Sequence, residues 1–194
     1  MKKLFIILGV ILFASSGSAQ IIIYDATETE NDFTLSANYS YSDPSSYGLS
    51  AEFGRTNFWF FNQYISTMVN ISITDMKYNN NEVKVKGNGY LFEIGNRFYR
   101  NRGRKSGVYL QWLLGYSSTN FDKNTSLGYF EGNYSYWSVI NHDIGYKIRL
   151  GDHFSLDPSV GYNWKWEVRG KGDVDNIYVD NFVFRCGAKL SYNF

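Results

Sequence analysis

The chain has 194 residues with 19 Lys and Arg against 18 Asp and Glu, and its mean hydropathy is −0.33 although aromatic residues make up 19% of it. So even a balance excludes the phosphate-neutralising basicity of a nucleic-acid binder. The one cysteine, Cys186, excludes an intramolecular disulfide, and the length suits a single domain.

The opening MKKLFIILGVILFASSGSAQ has a positive start (Lys2, Lys3), an apolar core from Leu4 to Ala14 and small residues before an expected cut after Ala19. Residues 1–19 are thus expected to be a signal peptide and residues 20–32 a periplasmic N-terminal segment. The apolar run is too short to span a bilayer as a helix. No cysteine sits at the cut, so a lipid anchor is unsupported. Two lysines leave with the leader, turning 19 basic residues against 18 acidic into 17 against 18.

Beyond the leader no sustained 3.6-residue apolar stripe occurs, proline is confined to Pro44 and Pro158, and a period of two predicts an all-β chain of eight strands. The first, Phe33 to Ser42, sets Phe33, Leu35, Ala37, Tyr39 and Tyr41 against Thr34, Ser36, Asn38 and Ser40, and ends in DPSS. The second, Tyr47 to Phe53, alternates Tyr47, Leu49, Ala51 and Phe53 with Gly48, Ser50 and Glu52, before a tight GRTN connection. The third, Trp59 to Thr74, sets Ile65, Val69, Ile71 and Ile73 against Asn62, Ser66, Asn70 and Ser72, and NNNE breaks it. The fourth centres on Tyr90, Phe92 and Ile94 against Glu93 and Arg97, and RNRGRKS turns it into the fifth, Val108 to Tyr116. A long connection is expected over Ser117 to Trp137.

The sixth strand sets Ile140, Ile144, Tyr146, Ile148 and Leu150 against Asn141, Asp143, Lys147 and Arg149, with GDH as its turn. The seventh runs from Phe154 to Arg169, with Phe154, Leu156, Pro158, Val160, Tyr162, Trp164 and Trp166 on one face and Asp157, Lys165, Glu167 and Arg169 on the other. The eighth is the chain end NFVFRCGAKLSYNF, where Phe182, Phe184, Cys186, Ala188, Leu190, Tyr192 and Phe194 alternate with Arg185 and Lys189. If GDH closes a three-residue hairpin, Leu150 opposes Phe154, Ile144 opposes Val160, and Lys147 is expected to face Asp157.

The alternation does not by itself say whether the apolar face turns to a core or to lipid. Phe154 to Trp164 is ten residues, which at about 3.3 Å per residue and a tilt near 40° covers roughly 25 Å, the apolar height of an outer-membrane barrel. Aromatic rings then fall at the edges of the band, with Trp59, Phe154, Trp164 and Trp166 as interface residues. Short turns (GRTN, GDH) alternate with longer connections near residues 75–82, 117–137 and 170–180, the short-inside, long-outside pattern of such barrels.

The terminal alternating segment and the eight amphipathic strands resemble the small outer-membrane β-barrel family of OmpA/OmpX type, over essentially the whole mature chain. The resemblance implies an eight-stranded antiparallel up-and-down transmembrane β-barrel over residues 33–194, ten strands being the alternative. It implies export to the outer membrane of a Gram-negative bacterium. It also implies a C-terminal signal, Leu190, Tyr192 and Phe194, read by the barrel-assembly machinery; the glycine usual in its middle has its nearest counterpart at Gly187. The expected partners are outer-membrane lipid and lipopolysaccharide, that machinery, and an extracellular ligand met through the outer loops.

An eight-stranded barrel is just wide enough for side chains to fill it. The inward positions collect Glu52, Glu93, Arg97, Asp143, Lys147, Arg149, Asp157, Lys165, Glu167, Arg169, Arg185 and Lys189, whose opposite signs suit a salt-bridged plug better than a pore. An enzyme is not expected. Some members of the resembling family modify lipid A with a His, a Ser and an acid, but His142 in INHDIG lacks the His-x-Ser-Asn pattern and has outward parity. His153 falls in a turn, and two separated histidines make no metal site. Asp173 and Asp175 in GDVDN lack the calcium-loop spacing, GNG at 87–89 is no phosphate fingerprint, and Cys186 reads as a small lipid-facing hydrophobe. No cofactor is expected. The leading function is a structural or adhesive barrel. A small passive channel or hydrophobic-ligand conduit is second, and a lipid A-modifying enzyme third.

Overall fold

A computed structural model describes residues 33–58, 61–80, 82–100 and 105–194, and the side chains among them except those of residues 55–64 and 167–169. The expected signal peptide, the N-terminal segment and Trp59 lie outside the described residues. Eight strands follow one another as β1 (Phe33–Tyr41), β2 (Ser45–Phe58), β3 (Phe61–Asn79), β4 (Lys84–Tyr99), β5 (Gly107–Thr125), β6 (Gly128–Leu150), β7 (Phe154–Gly172) and β8 (Phe182–Asn193). Each pairs antiparallel with the next, and β8 pairs with β1 from Thr34↔Asn193 to Tyr41↔Cys186, closing an eight-stranded barrel. No helix among the described residues is long and apolar enough to cross a membrane.

The apolar parity of the sequence turns outward. Leu49, Ile71, Phe92, Ile144, Leu156 and Leu190 are all exposed on the wall, whereas Ser50, Asn70, Glu93, Asp143, Asp157 and Lys189 between them are buried. An exterior of this kind suits hydrocarbon, and a closed barrel satisfies every ladder hydrogen bond there. Rings mark the lower rim, where Phe33 lies 5.0 Å from Phe53 and 5.3 Å from Phe194, and Tyr192 lies 4.9 Å from Phe194. At the upper rim Tyr116 packs 4.9 Å from Trp137, and Trp164 and Trp166 are exposed.

Register follows the turns. Leu150↔Phe154, Ile148↔Leu156 and Ile144↔Val160 pair across β6 and β7, as a GDH hairpin with Gly151 at φ 79 requires. Three expected boundaries are wrong. GRTN lies inside β2, which runs on to Phe58, the connection expected near 75–82 is mostly strand because β3 runs to Asn79 and β4 starts at Lys84, and the supposed connection Ser117–Trp137 is strand apart from a two-residue turn at 126–127. The alternation persists there with its polarity reversed. Phe121, Phe130 and Tyr134 point inward while Asp122 and Glu131 point out, so an apolar-out template misses it.

These strands rise beyond their neighbours. β2 begins opposite Asp75 and the β7–β8 pairing stops at Trp164↔Phe182, so β3 to β7 continue upward without β1, β2 and β8 beside them. The β7–β8 connection, with a short 3-10 turn at Asn176–Tyr178, folds across the gap. Its Asp175 N–H donates to the Tyr78 hydroxyl at 3.1 Å, Tyr178 meets the Tyr78 ring edge-on at 6.3 Å, and Val174 and Val179 are buried with Met76, Val85 and Phe121 in one apolar core.

Candidate functional site

The buried polar residues of the lumen stack in two linked tiers. In the lower tier Arg97 of β4, with no exposed surface, donates from Nη1 to Asp157 Oδ2 at 2.8 Å, Glu52 Oε2 at 3.2 Å and the Tyr99 hydroxyl at 3.2 Å. Its Nε and Nη2 both reach Gln111 Oε1, at 3.2 and 2.9 Å, and its guanidinium stacks 3.9 Å from the Tyr109 ring centroid. Glu52 Oε1 accepts from the Tyr99 and Ser66 hydroxyls at 2.7 and 2.6 Å, and Lys147 Nζ lies 3.6 Å from Glu52 Oε2. Tyr109 fits because Gly145 faces it: a Cβ there would fall 2.2 Å from the ring.

Gln111 Nε2 donates to Asp143 Oδ2 at 2.8 Å and so ties the lower tier to the upper. There Arg185 of β8 holds Glu93 at 3.0 Å and Asp143 at 3.2 Å and donates to Asn141 Oδ1 at 2.7 Å. Glu93 also accepts from Asn141 at 2.6 Å and Asn70 at 3.0 Å, and Lys189 Nζ approaches Asn70 Oδ1 at 3.5 Å. Each tier is charge-balanced: Glu52 and Asp157 with Arg97 and Lys147 below, Glu93 and Asp143 with Arg185 and Lys189 above. Buried ions persist only when so compensated.

Described side chains lie at both ends of the lumen. At the lower mouth buried Lys105 donates to Thr34 Oγ1 at 2.8 Å, and Thr34 to Asn193 Oδ1 at 2.9 Å. Above the upper tier Lys165 Nζ donates to the Asp43 carbonyl at 3.1 Å beside the Tyr136 ring, and the apolar core lies beyond. Between Asn38, Ser72, Glu93 and Arg185 the lumen leaves about 20 Å³, room for about one water.

Of the network read from the sequence, Glu52, Glu93, Arg97, Asp143, Lys147, Asp157, Lys165 and Lys189 are buried in the lumen, and Arg185 is mostly so. Arg149 is exposed, a correction: it stands one residue from the end of β6, where the inward parity has reached the lower mouth. The side chains of Glu167 and Arg169 lie outside the described ones. Lys147 does not pair with Asp157, although the β6–β7 register is as expected. The forked guanidinium of Arg97, reaching across from β4, takes Asp157, and Lys147 turns to Glu52. Sequence reasoning missed Lys105, Tyr99, Tyr109 and Gln111. The last three continue the inward parity of Arg97, but two rings among polar positions did not read as network members, and Lys105 sat in what looked like a plain turn. Leu190, Tyr192 and Phe194 all point outward at the closing strand, and His142 stacks on Tyr162 at 5.7 Å on the outer wall. Among the described residues no three His, Cys, Asp or Glu are grouped to hold a metal ion.

Several solved structures share this arrangement. The outer membrane protein OprG of Pseudomonas aeruginosa superposes with a TM-score of 0.50 at 12% identity, over 86% of this chain and 97% of that one. The two share the fold, a closed antiparallel β-barrel. Two further solved structures are similar at lower scores. The N-terminal β-barrel domain of Pseudomonas aeruginosa OprF has a TM-score of 0.49 at 14% identity, over 86% of this chain and 100% of that one. Ail, the attachment invasion locus protein of Yersinia pestis, has 0.47 at 16%, over 87% and 100%. No protein-family model matches the chain, and no curated protein does.

Proposed function

We propose that the protein is an integral outer-membrane barrel with a sealed lumen, acting through its extracellular end as a structural and adhesive element rather than as a channel or an enzyme. The observation that carries this reading is the double closure of the lumen, by balanced ion pairs in the membrane and by an apolar core above them. Among the described residues, the side chains that hold the two arginines in place crowd the lumen and favour a plug over an open path. What remains open to the surroundings is the extension of β3 to β7 and the 173–181 connection, which together form a folded surface rather than loose loops.

Cells carrying the full chain, compared with a variant whose β5–β6 hairpin is shortened from Asp122–Glu131 to a two-residue turn, test it. Both forms should fractionate with outer membrane and migrate as heat-modifiable barrels, and only the full chain should support attachment of cells to surfaces. Recovery in the soluble periplasm would overturn the membrane assignment. Equal attachment by both forms would overturn the adhesive one.

A further inference from the structure

The outward face of the β3–β4 ribbon changes abruptly as it rises. Ile71↔Phe92 and Ile73↔Tyr90 are apolar rungs, Asp75↔Asn88 follows, and then Lys77 stands opposite Lys86 with Lys84 on the next rung. All three lysines are exposed, and among the described residues none lies within ion-pair distance of a carboxylate. The acids nearest in the sequence and sheet are engaged or displaced: Asp75 is one rung lower, Glu82 is in the turn, and Asp122 on β5 accepts the Tyr129 hydroxyl. Like charges directly opposite weaken a strand pair, so the Lys77–Lys86 rung is suited to an anion from outside.

Below the lysines the wall carries an apolar groove of about 290 Å³, lined by Phe92, Ile94, Leu114, Gly115, Tyr116 and Trp137. It lies where the β5–β6 register shifts between Trp112 and Gly115 and the Trp112 indole donates to the Val139 carbonyl at 2.9 Å. Lys86 and Phe92 share the outward parity of β4. Six residues separate them, about 20 Å along the strand and roughly 15 Å along the membrane normal at a 40° tilt. A phosphate above and a hydrocarbon chain below, at that separation, describe one lipid.

We propose that this face holds one net-anionic lipid of the outer leaflet that bears a phosphomonoester, its phosphomonoester on Lys77 and Lys86 with Lys84 beside them and an acyl chain in the groove. The site rests on the outer-membrane reading above and adds to it a specific lipid contact. Near an anionic surface each lysine contributes enough for two of them to shift retention about tenfold or more.

The test uses the full refolded chain in mixed micelles with equal amounts of lipid A, a bisphosphorylated acylated glucosamine disaccharide, and phosphatidylcholine. The protein is re-isolated and its retained lipid quantified. Wild type should retain lipid A about tenfold over phosphatidylcholine, K77Q/K86Q should lose that preference, and L114W, which fills the groove, should retain less lipid A. Inorganic phosphate should not displace it. Independently of any variant, about 1 M salt, where the Debye length is roughly 3 Å, should abolish the wild-type preference. Equal retention of both lipids by a wild type that still migrates as a closed barrel on unboiled gels would overturn the site and leave the barrel reading standing. A preference unchanged in K77Q/K86Q would overturn it too.

Discussion

The apolar-walled half of the barrel and the extension above it use the same strands and the same two-residue period with opposite polarity. β3 shows both. Going up its outer face, Ile71 and Ile73 give way to Asp75 and Lys77, and on its inner face Asn70 and Ser72 give way to Met76 and Tyr78. Nothing in the backbone changes at that point, because the ladder to β4 runs unbroken from Tyr64↔Tyr99 to Asn79↔Lys84. The medium changes. In hydrocarbon the outside must be apolar and the enclosed space takes the ions, whereas in water a strand buries its apolar side chains as any soluble sheet does. The two halves are therefore stabilised by different forces, and substitutions should separate them.

The largest effect is expected at Arg97. Replacing it with Ala leaves Glu52 and Asp157 buried without their shared cation, which should destabilise the barrel by about 3–5 kcal/mol in urea unfolding from lipid vesicles. A double-mutant cycle should show strong coupling between Arg97 and Asp157 and little between Lys147 and Asp157. The reverse would restore the pairing that the strand register alone suggests.

Next comes the outer wall. Val160→Arg, in the apolar band of β7, should destabilise by about 2–4 kcal/mol. Asn124→Arg, also exposed but on the extension, should change stability by no more than about 0.5 kcal/mol. Similar effects at both sites would mean that the upper half is not in water.

In the extension itself Tyr78→Phe removes the acceptor of the Asp175 N–H while keeping the ring, and should weaken the packing of the 173–181 connection by about 0.5–1.5 kcal/mol. Faster hydrogen exchange at Asp175, with the membrane half unchanged, is the expected readout. The smallest effect concerns Tyr129, at the exposed hairpin tip. Its hydroxyl donates to Asp122, which holds its ionisation above the usual tyrosine range. Ionising it would break that bond and set two negative charges side by side, so D122N should bring the titration, followed by ultraviolet absorbance, down towards the ordinary value.

The membrane half was legible in the sequence because lipid enforces strict alternation: outward positions such as Leu49, Phe92 and Leu156 could be assigned strand by strand, and with them the inward charges. Two things were not legible. The continuation of β5 and β6 was hidden because its outward residues, Ser118, Asn120 and Asp122, look like a loop, and because register shifts at Ser135/Tyr136 and Ser138/Ile140 break the period. The ion-pair partners were hidden because they join strands that are not neighbours. Register relates Lys147 to Asp157 across one hairpin, but nothing local relates Arg97 on β4 to Asp157 on β7, which meet only once the barrel has closed.

Conductance in planar bilayers bears most directly on the sealed lumen. On the sealed-lumen reading proposed above, the refolded wild-type protein should give no discrete, reproducible channels under an applied potential, and removing Arg97 should be the change that lets ions through. Regular unitary steps from the wild type, selective for small ions and stable between insertions, would contradict the plug.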